Sequence, residues 1–182
     1  MEIYQNNYYH IYNRSNNSEV AFKSPENYRY FLSKYSKYFG GMFNTLAYCL
    51  MPTHFHFLVF VRSEETDTIK SAVGLMLSSY TKAINKKFYR HGSLFQLHTK
   101  AKLVEKDDYL LTITAYIHQN PVRAGLVRKL EDWEYSSYRE YLGLNKHNIV
   151  DTTILREYYS SIGEFKKFSE EMLSSVQEKY WV

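Results

Sequence analysis

Apolar and aromatic positions recur along the chain with two periods, which predict alternating strands and helices. Four segments rich in aromatic and β-branched residues predict strands: residues 8–13, 44–51, 54–62 and 97–104. Three longer segments carry apolar residues at helical spacing and predict helices: residues 25–39, 66–90 and 107–120. Residues 133–141 and 152–179 predict further helical or irregular pieces.

Local signals support the helix ends. Ser24 is a favourable N-cap before Pro25 at the first helical position, and Gly40 follows the last apolar position of that helix. Two acidic residues at 107 and 108 suit the start of the third helix, where the dipole favours negative charge. Pro121 disfavours helical geometry in the residue before it, so this helix is predicted to end at Gln119 or Asn120.

The predicted order is β-α-β-β-α-β-α, followed by a helical extension. Its first six elements match the ferredoxin-like split βαβ pattern. The expected fold class is therefore α+β, with an antiparallel sheet, two helices on one face and a further helix after the last core strand.

The composition is that of a globular protein and argues against disulfide-linked and membrane-spanning classes. Of 182 residues, 45% are apolar and 23% charged, as in ordinary globular proteins. The single cysteine, Cys49, excludes an internal disulfide, and no apolar run approaches the ~20 residues of a membrane span. The first residues show no basic and apolar signal segment, so a cytoplasmic location is expected.

Charge is uneven along the chain. Residues 66–130 contain 11 Lys/Arg and 4 Asp/Glu, a net charge of +7, whereas residues 131–182 contain 6 and 10, a net charge of −4. A basic middle third favours a polyanionic partner. The 19 tyrosines are compatible with stacking on nucleic-acid bases.

Two sites carry candidate chemistry. His54 and His56 alternate on a predicted strand, so both imidazoles share one face, and imidazole is the commonest protein metal ligand. On the third helix, Tyr116 and Asn120 are one turn apart, while Leu110, Ile113 and Ile117 are predicted to share the opposite face.

Four ordered segments carry a family resemblance. They are residues 9–14 (YHIYNR), 51–59 (MPTHFHFLV), 92–96 (GSLFQ) and 116–127 (YIHQNPVRAGLV). The chain resembles the REP-associated tyrosine transposases, within the IS200/IS605-like Y1 transposase group of HUH endonucleases. The resemblance covers residues 8–143, so residues 1–143 are expected to form the catalytic domain and residues 144–182 an extension that is not an independent domain.

The resemblance implies roles for individual residues. His54 and His56 match the metal ligands of the HUH motif, and Tyr116 matches the catalytic tyrosine. Asn120 matches the third ligand position, which is usually Gln in the wider group. Gln119 stays open as the alternative; spacing of four from Tyr116 favours Asn120.

The activity implied is metal-dependent cleavage and strand transfer of single-stranded, hairpin-bearing DNA through a covalent 5′-phosphotyrosine. The implied cofactor is Mg²⁺ or Mn²⁺, and the implied partner is DNA with REP-like hairpins and no membrane. A homodimer with shared sites is also open. Candidate DNA contacts are the cations Arg14, Lys82, Lys86, Arg90, Lys100, Lys102 and Arg123.

Two other functions are compatible with part of the sequence. A domesticated protein could recognise hairpin DNA without cutting it; the intact set of candidate catalytic residues favours an enzyme. A zinc hydrolase could use His54 and His56, but such sites need further His or Asp ligands at recognisable spacing, which the sequence lacks.

Overall fold

The computed structural model describes residues 2–105, 107–145 and 149–171. It contains four strands, β1 (Tyr8–Arg14), β2 (Phe43–Met51), β3 (His54–Val61) and β4 (Lys100–Val104). The three long helices are α1 (Pro25–Phe39), α2 (Thr66–Phe88) and α3 (Asp107–Arg123). Shorter helices follow as α4 (Tyr138–Tyr141), α5 (Thr153–Arg156) and α6 (Ile162–Glu171).

The four strands form one antiparallel sheet in the order β2-β3-β1-β4. This is the predicted ferredoxin-like arrangement, with the first and third strands in the centre. The predicted α+β fold class is confirmed. None of the described helices combines the length and hydropathy that a transmembrane span requires.

The sheet is covered on both faces. On one face, α1 and α2 pack over alternate strand residues such as Phe55 and Phe57, and Phe31 lies fully buried among aromatic rings. On the other face, α3 packs with residues of β2 and β3, including Leu46 and Leu58. Strand alternation therefore sends one set of side chains to each helical layer.

The C-terminal part packs onto the outside of α3. Leu155 and Phe165 are buried in the same apolar cluster as Ile113 and Ile117. Residues 149–171 thus share their core with the sheet rather than forming one of their own. The predicted segment 152–179 runs beyond residue 171, and its last part lies outside the described residues.

Helix α1 has the predicted bounds, but α3 is longer than predicted. It continues through Pro121 to Arg123, because the missing amide of Pro121 affects a single carbonyl near the helix end. The helix then closes with a Schellman motif: the amide of Gly125 donates to the Val122 carbonyl and that of Leu126 to the Pro121 carbonyl. Gly125 has φ of 68°, which a glycine adopts without strain.

Strand β4 is shorter than predicted. Its pairing with β1 ends at the Tyr12–Lys100 pair, and Leu97 is 89% exposed. The side chain of Asn13 donates to the Gln96 carbonyl and to Thr99 Oγ1, so side-chain hydrogen bonds replace the strand ladder over residues 97–99.

Candidate functional site

The predicted histidine pair lies at the start of β3. His54 faces Arg14 across the β1–β3 ladder, and its Nδ1 lies 3.0 Å from Thr53 Oγ1. His56 is fully buried on the α3 side of the sheet. The two imidazole centroids are 5.1 Å apart, with the ring planes nearly perpendicular.

Helix α3 brings Tyr116 to the histidines. The centroid of the Tyr116 ring lies 5.7 Å from that of His56, in an edge-to-face arrangement. Tyr116 is 3% exposed and belongs to the same apolar cluster as Ile113 and Ile117, so the prediction that those residues occupy the opposite face is wrong. At 100° per residue, Ile113 and Tyr116 are only about 60° apart, so they do not lie on opposite faces of the helix.

Asn120 completes the group. Its Nδ2 donates to the Tyr116 carbonyl at 2.8 Å, and its side chain lies close enough to His54 to raise the pKa of that imidazole. Gln119 points elsewhere: its Nε2 donates to the Ser169 carbonyl of α6 at 2.6 Å, and its Oε1 accepts from Arg123. The fold therefore brings together His54, His56, Tyr116 and Asn120, and it directs Gln119 away from them.

The histidines of this layer are held neutral. Burial, reinforced by the charge of Arg14, lowers the pKa of His54 to about 4, against the opposing effect of the Asn120 side chain. Burial and the neighbouring rings of His10 and His54 lower the pKa of His56 well below its usual value. Burial lowers the pKa of His118 to about 3. Neutral imidazoles keep the lone pairs that metal ligation needs.

The low pKa of buried His118 predicts that the folded protein loses stability as the pH falls. Its ordinary pKa is 6.5, so the unfolded chain takes up a proton between pH 7 and pH 5 while the folded protein does not. We expect this residue alone to lower the free energy of unfolding by about 2 kcal/mol over that interval. Urea unfolding at each pH measures it: His118→Asn should lose less stability than the wild type by this amount. His98→Asn, at an exposed histidine, is the control, and equal slopes for His118→Asn and wild type would refute the expectation.

The donor set fits a divalent cation. His56 Nε2 is buried and has no hydrogen-bond partner among the described residues. Within those residues no three His, Cys, Asp or Glu side chains are grouped to hold a metal ion, so a third ligand beside the histidine pair has to be of another type. The side-chain amide of Asn120 supplies an oxygen of that kind. Two imidazoles and an amide suit Mn²⁺ better than Mg²⁺.

Three predicted DNA-contact residues lie on the histidine side. Arg14 is close enough to influence His54 electrostatically. Lys100 and Lys102 are exposed and pair with Tyr12 and His10 across the ladder, so they share the histidine face of the sheet. The Lys102 Nζ lies 5.5 Å from the centroid of the Tyr12 ring. Arg123, in the last turn of α3, donates to Gln119.

Lys82, Lys86 and Arg90 belong to the opposite layer. Lys82 lines a groove of about 860 Å³ between α2 and the segment leading into β4, which Lys70, Thr81, Thr99 and Lys100 also line. Lys86 is exposed on α2. Arg90 forms two hydrogen bonds with the Glu19 carboxylate, at 2.9 and 2.8 Å, so its guanidinium ties the end of α2 to the loop after β1.

Sequence reasoning missed two residues of the site. His10 Nε2 lies 3.0 Å from His56 Nδ1, and Thr53 contacts His54. The alternation that paired His54 with His56 also places His10 and Tyr12 on one face of β1. That signal alone does not say which face of β1 meets the histidines of β3.

Comparison with known proteins decides the family. The family described as "Transposase IS200 like" matches residues 3–120, nearly two thirds of the chain. The chain belongs to the IS200-like transposases. A Haemophilus influenzae protein with the name "Putative REP-associated tyrosine transposase" is 29% identical over 105 residues, 53% of this chain and 59% of the relative. The chain thus matches about three fifths of that relative's length.

A solved structure supports the fold. The structure described as a REP-associated tyrosine transposase bound to a REP hairpin superposes with a TM-score of 0.65 at 16% identity. The superposition covers 84% of this chain and 87% of the solved one. At this identity the likeness establishes the fold. The histidines and Tyr116 therefore lie within a fold that this chain shares with that structure.

Proposed function

We propose that this transposase is a metal-dependent endonuclease and strand-transferase that acts on single-stranded DNA carrying hairpins. The observation that carries the proposal is the meeting of Tyr116 with His56, their rings 5.7 Å apart, beside His54 and Asn120. Family membership and the hairpin named for the solved relative support the choice of hairpin DNA as the partner.

Tyr116 is the nucleophile in this proposal. Its phenol oxygen loses a proton and attacks phosphorus, and the bond from phosphorus to the 3′ oxygen breaks. The departing 3′ oxygen takes up a proton to become the 3′-OH, and a 5′-phosphotyrosine remains. Because this is transesterification, no nucleotide cofactor is needed. A phenolate, with an ordinary pKa of about 10, is a better leaving group than an alkoxide. A second 3′-OH can therefore attack the linkage and rejoin strands.

His54, His56 and Asn120 would hold the divalent ion. When bound, Mg²⁺ or Mn²⁺ neutralises and orients the scissile phosphate. The three ligands are uncharged, since burial lowers the pKa of both histidines, and so they leave the positive charge available to the DNA. The hydrogen bond from Asn120 Nδ2 to the Tyr116 carbonyl fixes the amide relative to the nucleophile's own turn of helix.

The cations suggest where the DNA lies. Arg14, Lys100 and Lys102 flank the histidine face, and Lys100 also lines the groove beneath α2 together with Lys82. The segment joining them is tied to β1, because the Gln96 amide donates to the Arg14 carbonyl. We infer that single-stranded DNA leaves the histidines past Lys100 and follows this groove.

The test is incubation of the protein with a labelled stem-loop oligonucleotide that has single-stranded flanks, with Mn²⁺ or with EDTA. The proposal predicts strand cleavage and a denaturation-resistant adduct with Mn²⁺, and neither product with EDTA. Tight hairpin binding without cleavage in Mn²⁺ would instead support a DNA-binding protein that does not cut.

The exposed lysines of β4 predict how DNA binding depends on salt concentration. Lys100→Gln and Lys102→Gln should each weaken binding to a single-stranded flank and reduce the log–log salt slope by about 0.7, the value for one released phosphate contact. Lys37→Gln, at an exposed lysine of α1, is the control and should leave the slope unchanged. Fluorescence anisotropy at several salt concentrations measures all three. Unchanged slopes for both β4 variants would exclude these lysines from the DNA path.

A further inference from the structure

A buried imidazole on β1, that of His10, contacts His56. His10 is 2% exposed on β1, and its ring lies nearly parallel to that of His56, at 21° and 5.2 Å between centroids. The Nε2 of His10 is 3.0 Å from the Nδ1 of His56. This contact depends on the β1–β3 register, in which Tyr12 faces His56 and His10 is its diagonal neighbour.

When both imidazoles are neutral, one of the two facing nitrogens carries a proton and donates it, and the other accepts it. In one arrangement His56 Nδ1–H donates to His10 Nε2, and the lone pair of His56 then lies on its own Nε2. In the other, His10 donates, and the proton of His56 is moved to Nε2. Since His56 Nε2 is buried without a partner among the described residues, the second arrangement leaves an N–H group unsatisfied in the core.

We propose that His10 is a positioning residue that accepts the Nδ1 proton of His56 and so keeps the Nε2 lone pair available to a divalent cation. The benefit of a free Nε2 lone pair rests on the proposed metal-dependent function. The tautomer of His56 can be tested without metal. Ligating histidines commonly donate their second N–H to a carboxylate or a carbonyl. A neutral imidazole in that position adds no negative charge near the DNA phosphate.

The first experiment determines the tautomer in the metal-free protein. Long-range ¹H–¹⁵N correlation NMR of ¹⁵N-histidine-labelled wild type, assigned with His56→Gln, should show His56 protonated at Nδ1 and unprotonated at Nε2. In His10→Phe, which has no acceptor, the Nδ1–H preference should be lost. A wild-type His56 that carries its proton on Nε2 overturns the proposal.

The second experiment measures Mn²⁺ binding by titration calorimetry with MnCl₂ and no DNA. His10→Phe should weaken Mn²⁺ binding by about 10- to 100-fold, as removal of such supporting groups does. His10→Gln, whose side-chain oxygen can accept the same proton, should restore most of the affinity. Tyr12→Phe, beside the same two rings, is the matched control and should bind as the wild type does.

The outcomes separate this inference from the proposed function. His10→Phe binding Mn²⁺ as tightly as the wild type would overturn the role of His10, even if the wild type forms the DNA adduct. If His10→Phe does not fold, the role of His10 is still tested by the wild-type tautomer and by the Mn²⁺ affinities of His10→Gln and Tyr12→Phe. Affinity lost equally in His10→Gln and His10→Phe would also count against a proton-accepting role.

Discussion

Tyr116→Phe should abolish the covalent protein–DNA adduct and strand cleavage while hairpin affinity stays within about twofold of the wild type. The substitution removes one oxygen and leaves the ring that packs against Ile113 and Ile117, so the fold should be retained. Without a phenol oxygen, no phosphotyrosine can form at this position. Denaturing gels of labelled stem-loop DNA measure the adduct, and gel shifts measure binding.

A second tyrosine near the histidines supplies the control for this experiment. The Tyr12 ring centroid lies 6.0 Å from that of His56, close to the 5.7 Å of Tyr116. Tyr12→Phe should retain the adduct. An adduct that persists in Tyr116→Phe and disappears in Tyr12→Phe would assign the nucleophile to β1 instead of α3.

His54→Ala should lower the rate of DNA cleavage by about 100-fold or more, the loss seen when one group that stabilises transition-state charge is removed. His54 is half-buried at the start of β3, so its removal disturbs the core less than the loss of fully buried His56. Because a ligand is lost and the other two remain, higher Mn²⁺ concentrations should recover part of the rate. Cleavage rates over a range of MnCl₂ concentrations measure both effects.

The control for this prediction is His98→Ala, at an exposed histidine in the segment before β4. It should leave both the rate and the Mn²⁺ dependence unchanged. A His54→Ala variant that cleaves more slowly but needs no more Mn²⁺ than the wild type would show that His54 does not act as a ligand.

Local sequence signals predicted most of the fold. Helix α1 has the predicted bounds, with Pro25 at its first position and Gly40 directly after its last. Ser24 precedes the helix as predicted, but its side chain makes no capping hydrogen bond among the described residues. The end of α3 was predicted less well. Pro121 disfavours helical geometry in Asn120, but the helix continues past both residues, and the Schellman motif at Gly125 determines where it stops. The start of β4 at Lys100 depends on Asn13, which is far away in sequence.

Some features of the candidate site were likewise predictable from local sequence, and others were not. His54 and His56 share a face by strand alternation, and Asn120 follows Tyr116 by one turn, so each pair was predictable from local periodicity. The approach of α3 to β3 is a tertiary contact, and strand alternation does not predict which helix packs on the histidine face. The same holds for the His10–His56 hydrogen bond and for Gln119, which α6 engages through Ser169.

The central claim is that Tyr116 attacks DNA beside a divalent ion held by His54, His56 and Asn120. The most direct measurement is mass spectrometry of the denatured adduct formed on a stem-loop oligonucleotide with Mn²⁺, after digestion with protease and nuclease. We expect a 5′-phosphonucleotide on Tyr116 and no modified peptide from a parallel reaction in EDTA. A nucleotide on another residue, or an equal yield of adduct in EDTA, would contradict the account.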